Sequence, residues 1–176
     1  MLKSWIKLKE KLFIEKNLWL RILKRTFRLP NGQMGDFFIK QEGPAVCILA
    51  LTAEQKIILV KQFRPGPEES LLELPGGGIN EGEAPEAAAQ RELLEETGYT
   101  GDFQFVGTSL DCAYSTMIRY NFAATQCHKA QEQQLDATEF IEVIEMPLGN
   151  FRRHLRSGKL TDIETAYLGL DYLGLL

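Results

Sequence analysis

Three glutamates are spaced so that they share one face of a helix: Glu92, Glu95 and Glu96. Pro85 suits the first turn of that helix, and Gly98 suits the left-handed position after its last turn, so the spacing predicts a helix over residues 84–97. Carboxylates three and four residues apart repel one another in a helix when no cation is near. The cluster therefore predicts a site for a divalent cation, with Mg²⁺ the expected ion and Mn²⁺ the alternative.

The surroundings of these glutamates support that interpretation. Gly76-Gly77-Gly78 forms a turn before the helix, and its backbone carbonyls are available as further metal ligands. Arg91 follows Glu83 by about two helical turns, and we expect an ion pair between them that fastens the preceding loop to the helix. Three residues point away from the glutamates and are expected to face a core: Ala84, Ala87 and Leu94. Taken alone, the glutamates could equally be the solvated face of an amphipathic helix.

The whole segment resembles the signature of the Nudix hydrolases. It reads Gly77, five residues, Glu83, seven residues, Arg91-Glu92, two apolar residues, Glu95-Glu96, one residue, Gly98 and Tyr99. The resemblance implies that the Gly76 carbonyl binds the metal together with the three glutamates. It gives structural roles to four residues of the motif: Gly77, Glu83, Arg91 and Gly98. The implied fold class is α/β, an α/β/α sandwich with a mixed β-sheet and the signature helix against one face.

Further segments are similar to the branch of that family that contains ADP-ribose and other nucleotide-sugar pyrophosphatases. They are Val60–Arg64, Leu72–Gly77, Glu95–Tyr99, Leu135–Glu139 and Ser157–Leu160. This resemblance implies hydrolysis of a nucleoside diphosphate sugar such as ADP-ribose to a nucleoside monophosphate and a sugar phosphate. A GDP-sugar or ADP-glucose stays open as the substrate, because residues 111–116 have no proline where such enzymes often have one. A non-catalytic regulatory module that binds a nucleotide sugar is the alternative from another class.

Three residues outside the signature are candidates for contact with the substrate. Arg64 precedes a Pro-Gly-Pro loop and could bind a phosphate as a forked donor, although a surface salt bridge is equally expected. The resemblance makes Glu139 a loop glutamate near the diphosphate and the candidate general base, with Glu95 next. An exposed residue at a strand start is the alternative for Glu139. Tyr114 could stack on a base or sugar, or could be a partly buried loop residue.

The 176 residues suit one domain with an N-terminal extension. We expect residues 1–40 to form the extension, as a helix followed by a strand, and residues 41–176 to form the hydrolase domain. The aromatic-rich extension is expected to pack on the domain or on a second subunit. Members of the resembling branch commonly form dimers in which N-terminal strands cross over, so a homodimer is predicted.

Composition limits the partners. The formal net charge of -4 argues against non-specific nucleic-acid binding. No apolar run is long enough to cross a membrane. Three widely spaced cysteines without a C-x-x-C pair indicate neither a disulfide framework nor a zinc knuckle, and they favour a reducing cytoplasm. The predicted partner is therefore a small nucleoside diphosphate derivative, with no nucleic acid and no membrane.

The elements that must position these residues follow from hydrophobic patterning. Strands are predicted at Trp19–Leu29, Asp36–Lys40, Ala45–Leu51, Ile57–Arg64, Leu71–Leu74, Phe103–Val106, Ile118–Ala124 and Glu139–Met146. One helix is expected from Leu148 to Arg156, and another opens at a capping box formed by Thr161 and Glu164. Strands with one helix in the middle and two at the end predict a layered α/β domain with a mixed sheet.

Overall fold

The computed structural model describes residues 5–17 and 20–176, which form two compact units. The first comprises the described residues up to Pro44 together with Leu110–Ile118, and the second comprises Ala45–Ser109 and Arg119–Leu176. The predicted boundary between residues 40 and 41 stays a prediction. Within the described part of the chain, no helix has the length and apolar character to cross a membrane.

The first unit contains an antiparallel sheet in the order β1 (Ile6–Asn17), β2 (Leu20–Arg28) and β3 (Met34–Gln41). The helix predicted at the start of the extension is wrong. Along Ile6–Leu12 the odd-numbered positions are all lysine and the even-numbered positions are apolar except Glu10, which is the period of a strand. Cross-strand pairing adds to this, because Arg25 of β2 donates a hydrogen bond to Glu10 of β1. Trp19, at the start of the next predicted strand, lies outside the described residues.

The second unit is built on a seven-stranded mixed sheet. Two strand ends of this sheet, Leu110 and Ile118, are counted with the first unit. Its strands are β4 (Ala45–Thr52), β5 (Lys56–Arg64), β6 (Glu69–Glu73), β7 (Gly76–Gly78), β8 (Tyr99–Leu110), β9 (Ile118–Lys129) and β10 (Glu142–Pro147). The order is β10-β5-β4-β9-β8, with β6 paired to β5 and β7 paired to β4. The pair β4 and β9 is parallel, whereas β5 runs antiparallel to β4, β6 and β10.

Helices cover both faces of this sheet, so its central strand is apolar on both sides. Val46, Ile48 and Ala50 of β4 pack on the face covered by α1 (Pro85–Thr97). The alternate residues of β4 pack on the face covered by α2 (Leu148–Leu155) and α3 (Ile163–Tyr172): Cys47, Leu49 and Leu51. The predicted α/β/α sandwich with a mixed sheet is therefore confirmed.

Two element boundaries differ from prediction in ways that matter for the site. Strand β10 begins at Glu142, so Glu139 lies in the preceding loop and not at a strand start. The capping box at Thr161 is wrong, because the N-cap of α3 is Asp162. The Thr161 hydroxyl donates instead to Glu73 Oε1 at 2.7 Å.

Candidate functional site

The buried strip of α1 is not the one predicted from the helical period, and it consists of Ala88, Ala89, Leu93, Glu96 and Thr97. Ala84 and Ala87, which were expected to face a core, are exposed, and Leu94 is half-buried. Glu96 is only 5% exposed because it lies at the centre of the strip that packs on the sheet. The packing of α1 on the sheet therefore buries the side chain of Glu96, one of the three signature glutamates.

Burial changes the chemistry of Glu96. Burial, together with the nearby Glu92 and Glu139 carboxylates, raises the pKa of this carboxyl to about 8. Two groups oppose them: the Gly76 N–H, which donates to Glu96 Oε2 at 2.8 Å, and the positive charge of Arg64. A cation beside Glu96 would favour its ionised form.

Arg91 connects the other two signature carboxylates. Its Nη1 donates to Glu92 Oε1 at 2.8 Å and to Glu95 Oε2 at 3.1 Å. Burial raises the pKa of Glu92, and the hydrogen bond from Arg91 opposes that rise. The Glu92 side chain is 13% exposed and that of Glu95 is 41% exposed, so Glu95 is the more accessible of the two.

The structure contains the expected ion pair between Arg91 and Glu83. Arg91 Nε donates to Glu83 Oε1 at 2.8 Å, and Nη2 donates both to Glu83 Oε2 and to the Gly78 carbonyl at 3.0 Å. The guanidinium lowers the pKa of Glu83 to about 2. A backbone hydrogen bond from Asn80 to Glu83 acts in the same direction. This network connects the end of β7 and the loop that follows it to α1.

The turn predicted at Gly76–Gly78 is strand β7, which pairs with β4, and glycine is required in this strand by close approach. A Cβ atom on Gly77 would lie 2.5 Å from Glu92 Oε1, and one on Gly76 would lie 2.3 Å from the Val46 carbonyl oxygen. At the other end of α1, Gly98 adopts a φ of 76° and its N–H bonds to the Leu94 carbonyl. These contacts explain the motif glycines in terms of space and backbone conformation.

The loop that contains Glu139 is fixed to the C-terminal end of α1. Ala130 N–H donates to the Gly98 carbonyl and Gln134 N–H donates to the Glu95 carbonyl, both at 2.8 Å. Gln133 Nε2 donates to the Glu96 carbonyl at 2.6 Å. The last carbonyls of a helix lack partners within it, and this loop supplies them. The sequence contains no local signal for these contacts, because they join residues that are far apart in the chain.

Together these elements form an acidic cavity of about 110 Å³. It is lined by Arg91, Glu92, Glu95, Glu96, Gln134, Asp136 and Glu139. Across the described residues, no three His, Cys, Asp or Glu side chains are arranged as a ready-made metal site. Arg91 and the Gly76 N–H bind these carboxylates in the structure. The acidic donors are all carboxylate oxygens, a set that fits a hard cation such as Mg²⁺.

The remaining predicted residues lie in different units. Arg64 ends β5, and its Nε donates to Glu73 Oε2 at 2.6 Å. Tyr114 belongs to the first unit and is 55% exposed. It lines a pocket of about 280 Å³ with Trp5, Phe27 and Phe37. Its contact with a substrate stays a prediction.

The chain is similar to known proteins in sequence and in fold. Residues 41–161 match the model of the NUDIX domain family. The chain is 36% identical to the ADP-ribose pyrophosphatase of Bacillus subtilis (strain 168), over 95% of this chain and 90% of that protein. It is 32% identical to the methanol dehydrogenase activator of Bacillus methanolicus, over 84% of this chain and 80% of that protein. A crystal structure of an ADP compounds hydrolase superposes with a TM-score of 0.82 and 20% identity, covering 100% and 99% of the two chains.

Proposed function

Because this chain belongs to the Nudix hydrolase family, we propose that its acidic cavity hydrolyses the diphosphate bridge of a nucleoside diphosphate sugar. The products would be a nucleoside monophosphate and a sugar phosphate. The observation that supports this most strongly is the convergence of the three signature glutamates and Glu139 on one cavity. ADP-ribose is the proposed substrate, since the Bacillus subtilis relative is an ADP-ribose pyrophosphatase.

We propose Mg²⁺ as the cofactor, with Mn²⁺ as the alternative. The carboxylates of Glu92, Glu95 and Glu96 would hold it, together with the Gly76 carbonyl. When bound, such a cation lowers the pKa of an attacking water and neutralises charge on the phosphoryl oxygens. Arg91 would then keep its two hydrogen bonds to Glu83 while giving up Glu92 and Glu95.

Two residues outside α1 complete the proposed chemistry. Glu139 lines the cavity from the loop and is the proposed base that takes a proton from water, with Glu95 as the next candidate. Arg64 is the proposed phosphate ligand, because its positive charge lowers the pKa of Glu96 and its side chain is 46% exposed.

A groove beside the cavity has room for the organic part of the substrate. It has a volume of about 590 Å³, and Glu139 lines both spaces. Phe63 and Phe140 also line it, and both are largely exposed. Exposed aromatic rings next to a charged cavity suit a ligand with a planar base and a diphosphate. A GDP-sugar and ADP-glucose would fit the same description and stay open as substrates.

The assembly and setting are also proposals. Exposed apolar side chains on the sheet of the first unit support a homodimer, and they include Ile6, Leu8 and Met34. Cys47, Cys112 and Cys127 are all free thiols, which supports a reducing cytoplasm. The substrate is proposed to be a small molecule, with neither nucleic acid nor membrane as a partner.

An assay with matched variants tests the function. AMP release from ADP-ribose should require Mg²⁺ and stop with EDTA. Glu96→Gln should lower turnover by orders of magnitude with little change in folding, because it removes a buried metal-binding charge without changing shape. Glu86→Gln, on the exposed first turn of the same helix, is the control and should retain activity. Near-normal turnover in E96Q would contradict the metal site, and a wild type that binds nucleotide sugars without hydrolysis would favour a regulatory module.

A further inference from the structure

Glu73 is a buried carboxylate outside the acidic cavity, at the end of β6. It is 1% exposed, and an ionised carboxylate at such a position requires partners for both oxygens. Arg64 Nε donates to Oε2 at 2.6 Å, and Thr161 Oγ1 donates to Oε1 at 2.7 Å. Both oxygens are therefore occupied by donors from other elements.

The contact with Glu73 uses only one side of the Arg64 guanidinium. Within the described part of the chain, the Arg64 side chain has no hydrogen bond besides the one from its Nε. The side chain is 46% exposed, so solvent and ligands can reach it. Gln62 and Phe63, which precede Arg64 on β5, line the groove beside the acidic cavity, so Arg64 ends the strand that borders this groove. Two terminal nitrogens in one plane match a pair of phosphate oxygens.

The fold holds Glu73 in place from two sides, through the sheet and through Thr161. Glu73 pairs with Val60 across β6 and β5, in the buried part of the sheet. Thr161 lies just before α3, and its hydroxyl is also 2.9 Å from Asp162 Oδ2. The Asp162 carboxylate in turn lies 3.3 Å from Arg119 Nη2. This arrangement restricts the position of Glu73 and, through it, the position of Arg64.

We propose that Glu73 and Thr161 are positioning residues, which hold Arg64 by its Nε so that its terminal nitrogens bind the diphosphate of the substrate. The inference rests on the proposed function, in which Arg64 is a phosphate ligand. It accounts for the Thr161 hydroxyl, which bonds to Glu73 and does not cap α3. It also requires arginine at position 64, because all the donors of a lysine ammonium lie on one nitrogen and cannot face Glu73 and a pair of phosphate oxygens in the planar, forked geometry of a guanidinium.

A double-mutant cycle separates positioning from a merely structural ion pair. The affinity for α,β-methylene-ADP, whose bridge resists hydrolysis, is measured by calorimetry with Mg²⁺ for the wild type, E73Q, R64A and R64A/E73Q. We expect each single variant to bind on the order of tenfold more weakly, because a charge-assisted hydrogen bond is lost or misdirected. The double variant should bind no more weakly than R64A, since Glu73 acts through Arg64.

Three further variants control for folding and charge. Thr161→Val should weaken binding in the same direction, and Thr161→Ser should restore it by returning the hydroxyl. Glu69→Gln should leave the affinity unchanged, since Glu69 pairs with Arg64 in register on β6 but forms an exposed ion pair with Lys159. Thermal unfolding of each variant is recorded. If E73Q fails to fold, the comparison of the affinities of T161V and T161S decides the outcome.

Several results would overturn the inference. One is wild-type affinity in E73Q, and another is an E73Q effect that persists in full when Arg64 is absent. A wild type that does not bind α,β-methylene-ADP would also overturn it. If the wild type binds this compound but releases no AMP from ADP-ribose, the proposed function fails, while the comparison of affinities still decides the role of Glu73.

Discussion

Gly77 leaves the space that the Glu92 carboxylate occupies. Gly77→Ala would place a Cβ 2.5 Å from Glu92 Oε1, and the flexible end of that glutamate would move away. We expect the Mg²⁺ concentration for half-maximal activity to rise about tenfold or more, with a small change in unfolding free energy. Gly78→Ala is the matched control, because nothing lies within 4 Å of its added Cβ. Equal metal dependence in the two variants would show that Glu92 does not need this space.

A second residue-scale prediction concerns acid stability. Arg91 lowers the pKa of Glu83 from 4.5 to about 2, so the ionised form stabilises the fold above pH 4.5. That stabilisation is lost as the pH falls from 4.5 through about 2. We expect Glu83→Gln to flatten the decline in unfolding free energy over this interval, as measured by urea denaturation at a series of pH values.

Glu81→Gln provides the comparison for that experiment, since it removes a charge from an exposed neighbour. Its curve should fall in parallel with the wild-type curve. If E83Q also fell in parallel, the ion pair with Arg91 would not be the source of the acid dependence.

At the scale of elements, the end of α1 links the signature to the loop that contains Glu139. Gly98 has a φ of 76°, and an added Cβ would lie 2.2 Å from the Gln131 carbonyl oxygen. Gly158 has the same φ, with nothing within 4 Å. We expect Gly158→Ala to lower the unfolding free energy by about 1 kcal/mol for the left-handed conformation alone. Gly98→Ala should cost at least twice as much, because the Gln131 backbone must also move.

Chemical denaturation of both variants measures that difference. A similar loss of unfolding free energy in G98A and G158A would mean that the backbone at Gln131 moves away from the added Cβ without destabilising the fold. In that case the contact between Gly98 and residue 131 would not fix the loop against α1.

At the scale of the whole molecule, we expect two copies of the chain to associate. The sheet of the first unit exposes large apolar side chains, including Ile6 at 53% and Met34 at 57%. Apolar groups of this size on one sheet favour burial against another surface. Sedimentation equilibrium should give twice the chain mass of 20.0 kDa at micromolar concentration. A single species at the chain mass over the whole concentration range would contradict the homodimer.

The amino-acid sequence by itself determined the chemistry of the signature and most of the elements. The spacing of Glu92, Glu95 and Glu96 identified the acidic cluster, because the helical period is a local property. The strand predicted at Ala45–Leu51 likewise corresponds to β4, because a short apolar run is a local signal. The period-two pattern of Ile6–Leu12 was also present, although a helix was predicted there.

Only the tertiary structure decided how the cluster is turned and completed. The rotation of α1, which buries Glu96 and exposes Ala84, depends on packing against the sheet. The loop before Glu139 reaches α1 through a hydrogen bond from Gln134 to the Glu95 carbonyl, and Thr161 reaches Glu73 across 88 residues. Periodicity describes neighbours along the chain, whereas these contacts join distant segments whose approach depends on the fold as a whole.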